Sequence, residues 1–214
     1  MSKNLQDYRQ SYEKSELLES SIPDNPFTLF EQWFNETEAE GGSGEVNAMT
    51  ISTVGLDGFP KSRVVLLKSY SKDGFIFYTN FNSEKGKSIA SNPRVCISFF
   101  WPSTERQVIV KGMVEKVDEE TATEYYHSRP RGSQLGAWAS PQSSEIASRE
   151  VLEENLAEVE QKYEGKEVPK PQHWGGYIVK PLNIEFWQGR KNRLHDRITF
   201  NLEDAKWNSK RLAP

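Results

Sequence analysis

From Asn47 onward the chain is cut into short β-forming runs, and this rhythm constrains the fold more than any other feature. Residues 48–54, 62–67 and 75–79 are rich in β-branched and aromatic side chains, and Asp57-Gly58 and Asp73-Gly74 separate them. Such dipeptides supply the backbone conformations of tight hairpin turns, so successive runs are expected to pair antiparallel as a meander. The texture returns in residues 95–101 and 106–116, and again in 176–179, 184–188, 194–200 and 207–212. Helical signals fall between these runs. Asn25-Pro26 reads as an N-cap followed by proline in the first turn, with Phe27, Phe30, Trp33 and Phe34 as an apolar stripe that stops before Gly41-Gly42-Ser43-Gly44. A short helix is expected over 83–91, broken by Asn92-Pro93, and another from the Asp118 cap to His127. Residues 129–133 read as a loop. A long charged helix is expected over 144–163, with Leu152, Leu156 and Val159 inward, Gly165 at its end and Pro169 and Pro171 barring continuation.

Hairpins with helices inserted between them predict an α+β fold, most simply a small antiparallel barrel with helices packed outside. At 214 residues, one domain over 22–214 is the expectation, preceded by a polar segment, 1–21, that is either a tail or a piece that orders over something else. The net charge of −4 argues against a general nucleic-acid binder but permits a local basic pocket for one small anion. Cys96 is the only cysteine and the histidines are His127, His173 and His195, so neither a disulfide framework nor a metal cluster is expected. No apolar run has the length of a membrane span, and the polar start is unlike a signal peptide; a cytoplasmic protein is expected.

Polar chemistry concentrates between Trp187 and Arg197. If the run after the Gly189-Arg190-Lys191-Asn192 turn is extended, its period of two places Arg193, His195 and Arg197 on one face, about 7 Å between neighbours. Two guanidiniums flanking an imidazole suit an oxyanion; a solvated strand face paired with carboxylates such as Asp196 is the plainer alternative. Lys61 to Lys68 contains four consecutive apolar residues, Val64, Val65, Leu66 and Leu67, which suggests a strand buried on both faces with Arg63 and Lys68 at its ends. Strand-end charges reaching water explain those cations equally. Tyr78 and Thr79 precede the Ser83 helix start, where backbone N–H groups and Lys85 make an anion site, although simple capping by Ser83 also accounts for it. Tyr125, Arg129 and Ser133 form a phosphate-type set. Gln142 and Ser143 precede the expected long helix, where capping by Ser143 or Ser144 is the competing explanation.

These residues together resemble the pyridoxamine (pyridoxine) 5′-phosphate oxidases over nearly the whole chain. The resemblance rests on Arg63-Val64-Val65-Leu66-Leu67-Lys68, Phe77-Tyr78-Thr79-Asn80, Glu105-Arg106-Gln107-Val108, Tyr126-His127-Ser128-Arg129-Pro130, Gln134-Leu135-Gly136-Ala137-Trp138, Trp174-Gly175-Gly176, Glu185-Phe186-Trp187-Gln188-Gly189, Arg193-Leu194-His195-Asp196-Arg197 and the terminal Arg211-Leu212-Ala213-Pro214. It implies an FMN-binding split barrel, a homodimer with flavins at the subunit interface, and oxidation of the 4′-amine or 4′-alcohol of a vitamin B6 phosphate to the aldehyde, with O2 as acceptor giving H2O2. By the same resemblance Arg63 through Lys68, Tyr78, Thr79, Lys85, Gln107, Gln142, Ser143, Trp187 and Arg197 would hold FMN. Lys68, Tyr125, Arg129 and Ser133 would hold the substrate phosphate, with Arg193 and His195 over the reacting carbon. The segment with Arg9 and Tyr12 would close as a lid. Glu84 departs from the pattern, standing where many relatives carry an arginine toward the FMN phosphate; it would repel that phosphate unless turned outward. A flavin reductase on the same barrel and a non-catalytic pyridoxal phosphate carrier are the competing readings, and the second phosphate set and the flavin set respectively argue against them.

Overall fold

The computed structural model describes residues 3–214. Helix α1 (Pro26–Glu40) starts as its sequence dictates: the Asn25 side chain accepts the Phe27 N–H at 2.9 Å, and Pro26 occupies a first-turn position that needs no donor. Gly41, at φ 69°, ends it in a conformation that favours glycine. Strands β1 (Ala48–Val54), β2 (Pro60–Leu66), β3 (Ser69–Ser71) and β4 (Gly74–Asn80) follow, and then α2 (Glu84–Ser91), capped by Ser83. Next come β5 (Arg94–Trp101), β6 (Arg106–Lys116), α3 (Glu119–Ser128), α4 (Arg131–Ala139) and α5 (Glu150–Lys162). The chain closes with β7 (Trp174–Gln188), β8 (Asp196–Glu203) and β9 (Lys206–Leu212). The strands form one sheet in the order β2-β1-β5-β6-β7-β4-β3, with β8 on β7 and β9 on β8. No helix among the described residues is long and apolar enough to cross a membrane.

The chain divides into two compact units, and the divisions fall inside β1, β5, β6 and β7. The first unit comprises residues up to Thr50 with Cys96–Lys111 and Pro181–Pro214. Its core is aromatic: Phe30 meets Phe99 edge-on at 5.1 Å, Trp33 meets Phe186 at 5.2 Å, and Phe186 meets Phe200 at 5.7 Å. Arg106 lies over the Trp33 ring at 4.5 Å and is paired through Nη1 with Glu36 at 2.6 Å and through Nε with Gln188 at 2.9 Å, so this buried cation has a counter-charge. The second unit comprises Ile51–Val95 and Gly112–Lys180. In it β4 pairs antiparallel with β7 from Phe75 against Val179 to Asn80 against Trp174, and Tyr126, Leu135, Val168 and Trp174 form a buried cluster under the helices.

Several expectations are corrected. Residues 131–133, expected within the loop over 129–133, instead open a helix that runs to Ala139. Gly132 and Gly136 weaken the local signal, but Leu135 is buried, and Arg131 donates to the carbonyls of Tyr163 (2.6 Å) and Lys166 (2.9 Å) past the end of α5. The long helix begins at Glu150, not 144. Ser144 N–H bonds to the Pro141 carbonyl in a turn with Ser143 at φ 69°, so neither serine caps a helix. The runs at 176–179 and 184–188 are one 15-residue strand. Pro181 sits between the stretch that pairs with β4 (174–179) and the stretch that pairs with β8 (183–188), where its missing donor is tolerated. Among residues 3–21 the helical element is a 3-10 turn, Glu19–Ser21, and a separate turn at Gln6-Asp7 is closed by the Tyr8 N–H on the Leu5 carbonyl at 3.1 Å.

Candidate functional site

In the second unit a cavity of about 490 Å³ gathers most of the residues singled out from the sequence. Val64, Val65, Leu66 and Lys68 form one wall; Tyr78, Thr79 and Lys85 another; Tyr125, Arg129, Ser133 and Gln142 contribute the rest. The expectation of a strand buried on both faces fails here. Val64 is 68% exposed, Val65 and Leu66 are half-buried, and only Leu67 joins the core. These apolar side chains line open space, the arrangement a planar ligand requires and a packed core does not.

Within the lining of this cavity Lys85 Nζ donates to Gln142 Oε1 at 2.9 Å and Thr79 Oγ1 at 3.2 Å. Burial lowers its pKa, the neighbouring Arg63 charge lowers it further, and Glu84 opposes both. Arg63 does not line the cavity; its Nη1 donates to Thr53 Oγ1 and to the Lys61 carbonyl, both at 2.7 Å, and its Nη2 is buried with no partner. Glu84 pairs with Lys61 at 2.5 Å, so its carboxylate is already committed to a cation.

Around Arg129, Tyr78 stacks on Tyr125 (centroids 3.9 Å, 20° apart) and on Trp174 (5.4 Å, 11°), while the Arg129 guanidinium lies 4.6 Å over Trp174. Gly176 makes the stack feasible. A Cβ there would stand 2.8 Å from the Tyr78 ring, which lies directly across the β4–β7 register. Arg129 Nη1 is buried and unpaired. Its backbone carbonyl accepts the Gln134 side-chain amide at 2.8 Å, and the Gln134 carbonyl accepts the Tyr126 hydroxyl at 2.9 Å, so the α3–α4 corner is rigid. Burial pushes the Tyr126 phenol up to about 12, which keeps it a donor. Asn80, Pro130 and Trp174 also line the cavity and were not assigned to the site from the sequence. For Trp174, the glycine pair after it was the available signal.

The remaining candidates, Ser143 apart, lie in the first unit. The expected alternation of Arg193, His195 and Arg197 along a strand does not occur, because β8 begins only at Asp196 and Arg193 ends a 3-10 turn at φ 62° after Asn192 at φ 57°. Arg193 is exposed and makes no ion pair or hydrogen bond with the described residues. His195 is framed by Trp187 (4.6 Å) and Tyr12 (5.8 Å), and its Nδ1 accepts the Arg190 N–H at 3.0 Å. Burial lowers its pKa and Arg193 adds to this, against Asp196, so the ring is neutral near pH 7 with its proton on Nε2. Arg197 pairs with Glu185 at 2.8 Å and donates to the Ala213 carbonyl at 2.8 Å. Gln107 is half-buried on β6 in this unit, Arg9 is exposed, and Ser143 is exposed in its turn.

A family model described as pyridoxamine 5′-phosphate oxidase matches residues 36–163, and one described as the pyridoxine 5′-phosphate oxidase C-terminal dimerisation region matches residues 174–214. The chain belongs to the pyridoxamine 5′-phosphate oxidase family. Within this family, the pyridoxine/pyridoxamine 5′-phosphate oxidase of Flavobacterium johnsoniae is 61% identical over 98% of this chain and 99% of its own length. That of Synechocystis is 49% identical over 99% and 98%. The crystal structure of PhzG from Burkholderia lata, in complex with tetrahydrophenazine-1-carboxylic acid, superposes with a TM-score of 0.86 at 26% identity, covering 94% of this chain and all of that one. An FMN-binding protein from Nostoc punctiforme, at 14% identity and TM-score 0.70, shares the fold. The chain therefore has the family's split-barrel α+β architecture.

Proposed function

We propose that this chain is an FMN-dependent oxidase that converts pyridoxamine 5′-phosphate or pyridoxine 5′-phosphate to pyridoxal 5′-phosphate, with O2 as acceptor giving H2O2. The observation that carries this reading is the cavity in the second unit, whose lining joins two sets of anion-binding groups, Lys85 with Thr79 and Gln142 and Lys68 with Tyr125, Arg129 and Ser133, to the apolar Val64, Val65 and Leu66. One phosphate would account for one such group; two independent sets suit a phosphorylated cofactor and a phosphorylated substrate. The residues present fit FMN: Lys85, Thr79 and Gln142 form a polar cluster, and Arg63 keeps a buried unpaired Nη2 close to that chemistry.

FMN, held there, would supply a hydride acceptor for the substrate's C4′ and a carrier that oxygen can reoxidise. The protein's share is orientation and electrostatics. Lys68, Tyr125, Arg129 and Ser133 would grip the substrate phosphate, with Arg129 contributing its unsatisfied Nη1. Val64 through Leu66 would exclude water from the ring. His195 offers an Nε2–H donor and a ring already neutral, suited to holding a polar substituent without adding charge. Arg193, without an ion-pair or hydrogen-bond partner among the described residues, would serve the substrate. Arg197, half neutralised by Glu185, would act as an oriented donor. Residues 1–21, with Arg9 and Tyr12, would form the lid. The assembly is a homodimer, the state to which the C-terminal family match points, and the cytoplasm is the compartment this chemistry suits.

The experiment is an absorbance spectrum of the purified protein under anaerobic conditions before and after adding pyridoxamine 5′-phosphate. Flavin bleaching is expected, with recovery on admitting air. A yellow protein that does not bleach would be a flavoprotein with another substrate, and a colourless one that binds the ester would be a carrier.

A further inference from the structure

Asp196 stands between His195 and Arg197 in sequence, yet its side chain serves neither directly. Its Oδ2 accepts the Leu17 N–H at 3.1 Å, its Oδ1 accepts Arg211 Nη1 at 2.7 Å, and Arg190 Nη1 approaches Oδ2 at 3.6 Å. The carboxylate side chain is only 15% exposed, so these partners are what make its burial tolerable. Arg190 is held on its other side by Glu16 at 2.9 Å, and its backbone N–H is the group that donates to His195 Nδ1. Arg211 in turn grips the Leu17 carbonyl at 2.7 Å and both carboxylate oxygens of Glu19. Every link lies in the first unit. The links run from the N-terminal segment and strand β9, through one carboxylate, to the main chain that addresses the imidazole.

The chemistry of that last link is decisive. A neutral imidazole has one donor and one acceptor nitrogen, and an N–H fixed against Nδ1 forces the proton onto Nε2. Were Arg190 free to turn, both tautomers would be populated and the donor facing outward would be present only part of the time. We infer that Asp196 is a positioning residue for His195, holding Arg190 so that its N–H selects the Nε2–H tautomer, and that the docked N-terminal segment completes this hold. The inference rests on the reading of His195 as a substrate-facing group, but the tautomer itself can be read without turnover.

The test uses the FMN-loaded dimer labelled with 15N at histidine. Only His127, His173 and His195 contribute, and the His195 signals are assigned by their loss in His195→Gln. Wild-type protein is expected to show His195 protonated at Nε2 alone at pH 7.5. Asp196→Asn keeps the volume and removes the charge; a mixture with Nδ1–H should appear, and kcat should fall roughly tenfold while KM moves less than about twofold. Glu16→Gln, at the exposed edge of the network, should shift the tautomer mixture in the same direction by less. If Asp196→Asn lowers kcat with the tautomer unchanged, Asp196 is only structural and the inference fails; it fails equally if neither quantity moves. Should Asp196→Asn not fold, an unchanged tautomer in Glu16→Gln overturns it. A wild-type enzyme that does not bleach with substrate would defeat the functional reading and leave the resonance result intact.

Discussion

Replacing Arg129 by Met should stabilise the ligand-free protein and weaken its hold on phosphate. In the folded chain the Arg129 Nη1 is buried without a partner, and burial lowers the guanidinium's pKa, a sign that the charge is poorly solvated. An unsatisfied buried donor costs about 1–3 kcal/mol. The stacking over Trp174 at 4.6 Å offsets about 0.5–2 kcal/mol of that. Met retains the apolar stem and removes the charge, so a net gain of about 1 kcal/mol is expected, equivalent to a rise of roughly 2–4 °C in Tm for a chain of this size. With substrate the sign reverses. Charge-assisted hydrogen bonds worth about 1.5–3 kcal/mol are lost, which corresponds to roughly 10- to 100-fold in affinity for the phosphorylated substrate. Thermal unfolding of apoprotein in phosphate-free buffer and steady-state KM for pyridoxamine 5′-phosphate measure the two effects, with FMN content as the control. A lower Tm together with an unchanged KM would refute the reasoning, because Arg129 would then be a structural cation whose Nη1 is satisfied by other means.

Three further outcomes are expected. Glu84→Arg should tighten FMN, since Glu84 now opposes the cationic field of Arg63 and Lys85; a flavin titration giving equal or weaker affinity would show that its pairing with Lys61 already silences it. Arg193→Lys should cut kcat/KM by about 1–3 kcal/mol while leaving the flavin spectrum intact, whereas Arg197→Lys, which breaks the Glu185 fork, should alter flavin affinity or potential; identical defects would dissolve the distinction. Glu19 is held at about 2 by Arg211, so its folded-state pKa lies below its ordinary 4.5. The stability this pair contributes is fully present above about 4.5 and is lost as pH falls toward 2, and protease sensitivity of the N-terminal segment should rise across that window. A segment equally protected at pH 2.5 and pH 7 would contradict it.

What could be read from the sequence was what short-range chemistry determines. Asn25-Pro26 located the start of α1, and residues 48–54 and 106–116 matched strands β1 and β6 because alternation and turn residues agree there. Where a tertiary partner decides, the sequence misled. Helix α4 exists because Leu135 is buried and Arg131 reaches the end of α5, neither of which its two glycines advertise. The run Val64 to Leu67 looked like core because apolarity says nothing about whether the opposing surface is protein or cavity. The three basic residues after Asn192 failed to alternate because two successive left-handed residues, which only turn chemistry could have betrayed, delay the strand. Pairings such as Lys61 with Glu84 or Asp196 with Leu17 join residues far apart in the chain and left no local trace.

The N-terminal segment is fastened through its main chain as well as through the ion pairs of Glu13, Lys14, Glu16 and Glu19. Glu13 and Lys14 give their N–H groups to Glu105, and Leu17 offers its N–H to Asp196 and its carbonyl to Arg211. Gly189 adds a gauge of position, since a Cβ there would lie 2.7 Å from the Tyr12 side chain. The main-chain bonds in such a strap are indifferent to side-chain identity but not to the number of residues between them. Substitutions at Ser15 or Leu18 should pass unnoticed, while deleting or inserting one residue between Tyr12 and Leu17 would lift either Tyr12 off Gly189 or Leu17 out of its buried seat. Along this stretch spacing, more than identity, is what inheritance must preserve.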